Sequence, residues 1–222
     1  MTLWPAPPVT RSLLPREVHL WRIPLTTSVE EIFLLHTLLS TDELQRVDRL
    51  LDRRKAQDFI VGRGRLRQIL GFYLDADPAA IAFAYGHHGK PSMTGNVLQF
   101  NLSQSGDWAV LALHSDAAIG VDLERIDPTL DYAALAARFF TPDENALLLA
   151  APMAQRRRRF YRLWTRKEAL LKGQGQGFSG AAKEEAGDWQ LQSFWLGPRY
   201  VGSVASAREI QTLRRWQVAE DK

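Results

Sequence analysis

Gly120-Val121-Asp122-Leu123-Glu124 and Trp164-Thr165-Arg166-Lys167-Glu168-Ala169-Leu170-Leu171-Lys172 decide how this chain folds and where its chemistry sits. The first segment reads as a short strand. Alternation then sets Asp122 and Glu124 on one face, with Val121 and Leu123 on the other. The second reads as a helix in which Glu168 and Lys172, four apart, share a face, and Trp164 lies a further turn back. Three carboxylates and a lysine can therefore converge from two rigid elements. An oxygen-only donor set of this kind suits a hard cation such as Mg²⁺ holding a phosphorylated substrate. Either segment alone has an ordinary reading, as a solvated strand face or as a helical i, i+4 ion pair. Their joint occurrence points to a site.

Upstream, Ser40-Thr41-Asp42-Glu43 reads as a capping box that starts a helix through Leu44, Val47 and Leu51. A second helical stretch, 56–74, sets Phe59, Leu66, Leu70 and Tyr73 along one side, and Arg63 and Arg67 on it can reach a common point. His19 to Ile23 suits a strand. Between 79 and 115 the period changes to strands at 81–85, 98–103 and 108–113, with a turn at Ser105-Gly106-Asp107 and a loop at His87-His88-Gly89. After the strand at 118–124, Thr141-Pro142-Asp143-Glu144 starts another helix, with proline at its first position. The helix of about 155–172 carries Phe160, Leu163, Trp164 and Leu171 on its apolar side, which makes Trp164 a core residue, and Gly173 is its expected cap. Strands follow at 189–195 and near 199–205 and 215–218. Each half reads as helices with an antiparallel sheet, an α+β chain that divides near 115.

The 222 residues are 45% hydrophobic and 24% charged, which is globular rather than disordered. No apolar run reaches the roughly 18–20 residues that span a bilayer. Cysteine is absent, so disulfides and thiolate zinc sites are excluded. The N-terminal residues show no secretory signal, and a cytoplasmic monomer is expected. A net charge of +3 permits docking to an acidic partner without demanding nucleic acid. The concentrated basic run is Arg156 to Arg159, at the start of the helix that ends in the acidic-basic motif. It is either a solvated face or a contact for an acidic partner.

Two further segments complete a pattern: Gly89-Lys90-Pro91, and Phe100-Asn101-Leu102-Ser103-Gln104-Ser105. With Gly-x-Asp-x-Glu, Trp-x-x-Lys-Glu-Ala-x-x-Lys and the Gly173-Gln174-Gly175-Gln176-Gly177-Phe178 that follows, the chain resembles the surfactin-type 4′-phosphopantetheinyl transferases over residues 40–180. The resemblance implies two similar α+β halves, 1–115 and 116–222, related by a pseudo-twofold with the active site in the cleft between them. It implies Mg²⁺-dependent transfer of 4′-phosphopantetheine from coenzyme A to a serine of an apo acyl or peptidyl carrier protein, releasing 3′,5′-ADP. Asp122, Glu124 and Glu168 would be the metal ligands. Glu168 and Lys172 would be catalytic, with Glu168 acting as base or only as ligand. Lys90, Pro91, Ser103, Gln104, Arg46, Arg63 and Lys172 would bind coenzyme A, with Arg67 a further candidate.

The chain departs from the family at one visible place. The usual motif is Asn-x-Ser-His-Ser, and Gln104 stands where the family has a histidine for the 3′-phosphate. Glutamine can donate a hydrogen bond but carries no charge, so the strength of 3′-phosphate binding is in question. An alternative reading is a catalytically weak binder of coenzyme A or of the carrier protein with the same fold. The intact Asp122, Glu124, Glu168 and Lys172 oppose it.

Overall fold

A strand, three helices and a hairpin occur twice in succession along this chain. The computed structural model describes residues 4–86, 89–93, 95, 98–176 and 187–218. The expected loop at His87-His88 and the Gly177-Phe178 end of the glycine-rich segment lie outside these residues. The first unit runs β1 (Glu17–Pro24), α1 (Val29–Thr37), α2 (Thr41–Asp48) and α3 (Arg53–Leu74). A small hairpin follows, β2 (Phe83–Tyr85) with β3 (Pro91–Met93), and then β4 (Gln99–Ser105) and β5 (Trp108–His114). The second unit runs β6 (Ile119–Arg125), α4 (Tyr132–Phe139), α5 (Pro142–Leu149), α6 (Met153–Gln174), β7 (Gln190–Trp195) and β8 (Tyr200–Ser206).

The strand orders match. In each unit the second hairpin strand lies beside the opening strand, giving β4-β5-β1 and β7-β8-β6, with every one of these pairs antiparallel. This is the two-halved α+β architecture the sequence leads one to expect. One strand breaks the symmetry. β9 (Thr212–Gln217) returns from the second unit and pairs parallel with β1, extending the first sheet to β4-β5-β1-β9. The first sheet is therefore not purely antiparallel. A parallel neighbour needs a long crossover, and here the whole second unit supplies it.

Alternation in the first sheet explains how the halves are joined. Trp21 and Ile23 of β1, with Ala109, Leu111 and Leu113 of β5, pack under Leu35, Leu66 and Leu70 of the helices. The intervening Val18, Leu20, Val110 and Ala112 face the other way and pack on Ile119, Val121, Leu123 and Val204 of the second sheet. The central strands of this sheet are buried on both faces, so one apolar cluster is shared between the halves. Each fully buried aliphatic side chain there contributes about 1.5–3 kcal/mol.

The helix starts follow local chemistry. The Ser40 amide donates to the Glu43 carboxylate (3.0 Å), and Thr141 and Glu144 form a reciprocal box at α5, with Pro142 at its first position. Trp164 lies in the core cluster around Phe140 and Phe160. The expected cap at Gly173 is displaced. α6 continues to Gln174, and Gly175 takes the left-handed cap with φ of 72°. Gly173 is needed for another reason. A Cβ there would meet the Trp189 ring, and one on Gly120 would run into the Ala169 carbonyl and the Gly173 amide. The two glycines let the end of α6 lie directly on the start of β6.

Candidate active site

β6 is an edge strand of its own sheet, so its outward backbone groups need partners from elsewhere. Alternate side chains of β4 supply them. Asn101 Oδ1 accepts from the Val121 amide (2.8 Å), Ser103 Oγ from Leu123 (3.3 Å) and Ser105 Oγ from Arg125 (3.0 Å). The spacing of Asn-x-Ser-x-Ser matches the two-residue period of the strand it faces. The two serines then reach the carboxylates between those amides. Ser103 donates to Asp122 Oδ1 and Ser105 to Glu124 Oε2, both at 3.0 Å. Ser103 thus spends its proton within the site, on Asp122. Ser105, which the sequence reading gave no role, is part of the site.

Lys172 reaches across from α6. Its Nζ lies 2.6 Å from Asp122 Oδ1 and 3.1 Å from Ser103 Oγ. Asp122 is buried and its Oδ2 has no hydrogen-bond partner. Burial raises the Glu124 pKa, helped by the negative charges of Asp122 and Glu168 and opposed by Ser105 and Lys172, to about 7. Glu168 is also shifted up, by burial first and then by Asp122. The three carboxylates thus share one electrostatic neighbourhood, with one lysine against them. As the side chains stand, however, no group of three or more His, Asp or Glu residues is arranged to hold a metal ion among the described residues. The three expected ligands are neighbours here without forming a finished coordination geometry, and Lys172 holds one oxygen of Asp122. The donor set still fits a hard cation. It is all oxygen, it includes a buried unpartnered Asp122 Oδ2, and it holds carboxylates that burial and mutual repulsion disfavour in the charged state.

Beside these carboxylates lies a cleft of about 350 Å³ lined by Arg46, Phe59, Arg63, Leu102, Ser103, Gln104 and Lys172. Five of the residues expected to bind coenzyme A are therefore brought together: Arg46, Arg63, Ser103, Gln104 and Lys172. Gln104 is exposed, with its Oε1 beside Gly62 of α3. Arg46 and Arg63 both stand over the Phe59 ring. The common point that Arg63 and Arg67 reach is Glu43, fully buried at the start of α2. Arg67 Nε lies 2.8 Å and Arg63 Nε 3.3 Å from its oxygens. Arg67 Nη1 donates to the carbonyls of Pro78 and Ile81, which ties this arginine into the structure. Arg63 keeps a buried Nη1 with no hydrogen-bond partner, and burial lowers its pKa. Glu43 was legible only as a cap. Its ion-pair role could have been suspected from two arginines four apart on the next helix.

Lys90 and Pro91 fall outside that cleft. Lys90 Nζ donates to the carbonyls of Ile119 (2.9 Å) and Gly173 (3.2 Å), and Pro91 opens β3 opposite Tyr85. Two of the three ammonium donors of Lys90 thus go to backbone carbonyls of the second half.

The two-halved fold agrees with the relatives of this chain. Residues 118–220 match the 4′-phosphopantetheinyl transferase superfamily, and residues 25–116 match the N-terminal part of 4′-phosphopantetheinyl transferases. The 4′-phosphopantetheinyl transferase HetI of Nostoc sp. (strain PCC 7120) is 42% identical over 180 residues, covering 79% of this chain and 76% of that protein. The transferase Sfp of Bacillus subtilis (strain 168) is 30% identical over 158 residues, 70% of this chain and 68% of Sfp. The transferase AcpT of Salmonella typhimurium is 41% identical over 92 residues, 41% of this chain and 48% of AcpT. The chain belongs to the 4′-phosphopantetheinyl transferase superfamily. No helix among the described residues is long and apolar enough to cross a membrane.

Proposed function

We propose that this protein transfers 4′-phosphopantetheine from coenzyme A to the serine of an apo acyl or peptidyl carrier protein, in a Mg²⁺-dependent reaction. The observation that carries this reading is the abutment of two chemistries. A cleft with Arg46, Arg63 and Gln104 shares its Ser103 and Lys172 with the carboxylate group of β6 and α6. The serine oxygen of the carrier forms a bond to the β-phosphorus of coenzyme A, the pyrophosphate bridge breaks, and 3′,5′-ADP leaves with the electron pair. Catalysis of this type rests on alignment and on neutralising phosphate charge. Mg²⁺ would be held by Asp122, Glu124 and Glu168 and would supply charge neutralisation to the pyrophosphate.

The chain's own groups do the rest. Lys172 offers a cation to the same phosphates, one turn from Glu168. Arg46 and Arg63 carry the nucleotide phosphate in the cleft, and Gln104 adds a neutral donor there. Glu168 accepts the serine proton. Its raised pKa makes it a better base than an ordinary carboxylate. The test is direct. Incubation with coenzyme A, Mg²⁺ and a panel of apo carrier proteins, followed by mass spectrometry, should show one phosphopantetheine added to the carrier. Unmodified carriers throughout, with coenzyme A still bound, would turn the reading to a catalytically weak binder. The division at about residue 115, cytoplasmic residence and a monomeric state belong to the same proposal, and sedimentation with and without a carrier protein checks the last.

A further inference from the structure

Lys90 is a half-buried cation with no carboxylate partner among the described residues. Its two hydrogen bonds go to backbone carbonyls of the other half, Ile119 at the start of β6 and Gly173 in the last turn of α6. A partly desolvated charge without a counter-charge is disfavoured, and desolvation pulls the Lys90 pKa down to about 8. A solvated turn lysine would not be held this way.

The carbonyl it takes in α6 is one the helix leaves over. The last carbonyls of a helix lack intrahelical donors. Here the amides of Gly175 and Gln176 turn back onto Leu171 and Lys172. Gly173 carries the next carbonyl, and Lys90 donates to it. A cation at a helix C-terminus also opposes the negative end of the macrodipole favourably. The residue beside Gly173 is Lys172, whose Nζ lies on Asp122 and Ser103. The other carbonyl belongs to the strand that carries Asp122 and Glu124. Gly120 and Gly173 bring these two backbones together, leaving no room for a Cβ on either.

We propose that Lys90 is a positioning residue: from the first half of the chain it fastens the last turn of α6 to the start of β6, and so sets Lys172 and Glu168 over Asp122 and Glu124. It acts through those residues and does not touch the nucleotide through its ammonium. The catalytic part of this inference rests on the transferase reading, and the structural part does not.

Two measurements test it on the full chain. In steady-state transfer, Lys90→Met should lower kcat about tenfold, since small misplacements of catalytic groups are costly in rate. KM for coenzyme A should stay within about twofold of the parent, and Lys90→Arg, which can still donate to two carbonyls, should recover most of kcat. In hydrogen exchange without substrate, peptides covering 170–176 and 119–121 should exchange faster in Lys90→Met, while α3 peptides are unchanged. If Lys90→Met does not fold, Lys90→Gln, which keeps a neutral donor, is measured in the same two ways. A large rise in KM for coenzyme A with kcat and exchange unchanged would overturn the proposal and return Lys90 to the nucleotide. A parent protein that transfers nothing would sink the transferase reading alone, and the exchange measurement would still decide whether Lys90 fastens α6.

Discussion

Ser105 holds Glu124 from the opposite half of the molecule: its hydroxyl donates to Glu124 Oε2 while its oxygen accepts the amide of the next residue, Arg125, both at 3.0 Å. One side chain thus closes a backbone vacancy on β6 and steadies the charged form of a candidate metal ligand. This hydrogen bond lowers the Glu124 pKa against burial and Asp122, which raise it. Ser105→Ala should therefore push Glu124 further up. The acid limb of the kcat/KM profile, where Glu124 must lose its proton to work, should move to higher pH. A pH–rate profile of the two proteins checks this, and an acid limb left in place would mean that Glu124 is not the group it reports. Loss of the bond to the Arg125 amide should cost little stability, because that bond is exposed and water can replace the hydroxyl.

Glu124 also makes stability depend on pH in a defined direction. Its folded pKa, about 7, lies above the ordinary value of 4.5, so the folded protein holds this proton more tightly than the unfolded chain. The contribution is complete below about pH 4.5 and is lost as pH rises through about 7. The groups that set it are Asp122 and Glu168, which raise the pKa, and Ser105 and Lys172, which lower it. In chelator-treated protein, Tm should fall across this window by more than in Glu124→Gln, whose amide does not titrate. Added Mg²⁺ should restore Tm most at the alkaline end, where the carboxylates are ionised. Equal pH dependence in the two proteins would remove Glu124 from the explanation, and no response to Mg²⁺ would count against the proposed ligand set.

The basic run at 156–159 divides into two jobs. Arg156 donates to the carbonyls of Leu149 and Ala151, closing the end of α5, and Arg157 donates to those of Asp127 and Leu130 while standing over Tyr132. Arg158 lies over Trp195, and with Arg159, Arg162 and Gln155 it lines an open pocket of about 470 Å³. Alanine at Arg156 or Arg157 should thus cost stability, about 1–2 kcal/mol each from lost charged hydrogen bonds. Charge reversal at Arg158 and Arg159 should leave Tm nearly unchanged and raise KM for an acidic carrier protein at low salt. KM values for carrier and coenzyme A that are both unaffected would make this pair a solvated face.

Much of this site could be read from the chain, for reasons that are local. Asp122 and Glu124 follow strand alternation, Glu168 and Lys172 follow the helical repeat, and the boxes at Ser40 and Thr141 are four-residue patterns. What could not be read depends on distant partners. β9 shows strand character near 215–218, but nothing local says that it lies parallel to β1 some 200 residues earlier. Helix α1 escaped notice because Phe33 and Leu34 are exposed on it, which blurs its apolar face. Arg67 looks like Arg63 in sequence, and only burial against Glu43 and the carbonyls of Pro78 and Ile81 separates a structural cation from one that lines the cleft. A loop lysine such as Lys90 gives no hint, in sequence, of the carbonyls it meets at a helix terminus in the other half.

The substitution at position 104 gives the last prediction. A histidine there would offer a charged donor to a 3′-phosphate, and a charged hydrogen bond is about twice as strong as a neutral one. Taken alone, that difference would weaken the preference for coenzyme A over 3′-dephospho-coenzyme A several-fold. Gln104 is not alone, however. Arg46 and Arg63 line the same cleft, and Arg63 has a buried Nη1 without a partner. Guanidinium groups stay charged at any working pH and bind phosphate in a fork. The preference should therefore rest on the arginines more than on Gln104. Arg46→Gln is the cleaner probe, because Arg46 is exposed while Arg63 is bound to Glu43 in the interior. We expect Arg46→Gln to reduce the ratio of kcat/KM for the two cofactors about tenfold, the loss of one charged hydrogen bond worth roughly 1.5 kcal/mol. Gln104→His should sharpen the ratio by no more than about threefold, with its effect growing below neutral pH as the imidazole gains its proton. Measuring both cofactors in the parent and the two variants decides the matter. A ratio that ignores Arg46 and follows residue 104 would mean that the 3′-phosphate lies against β4 and not across the cleft under α2.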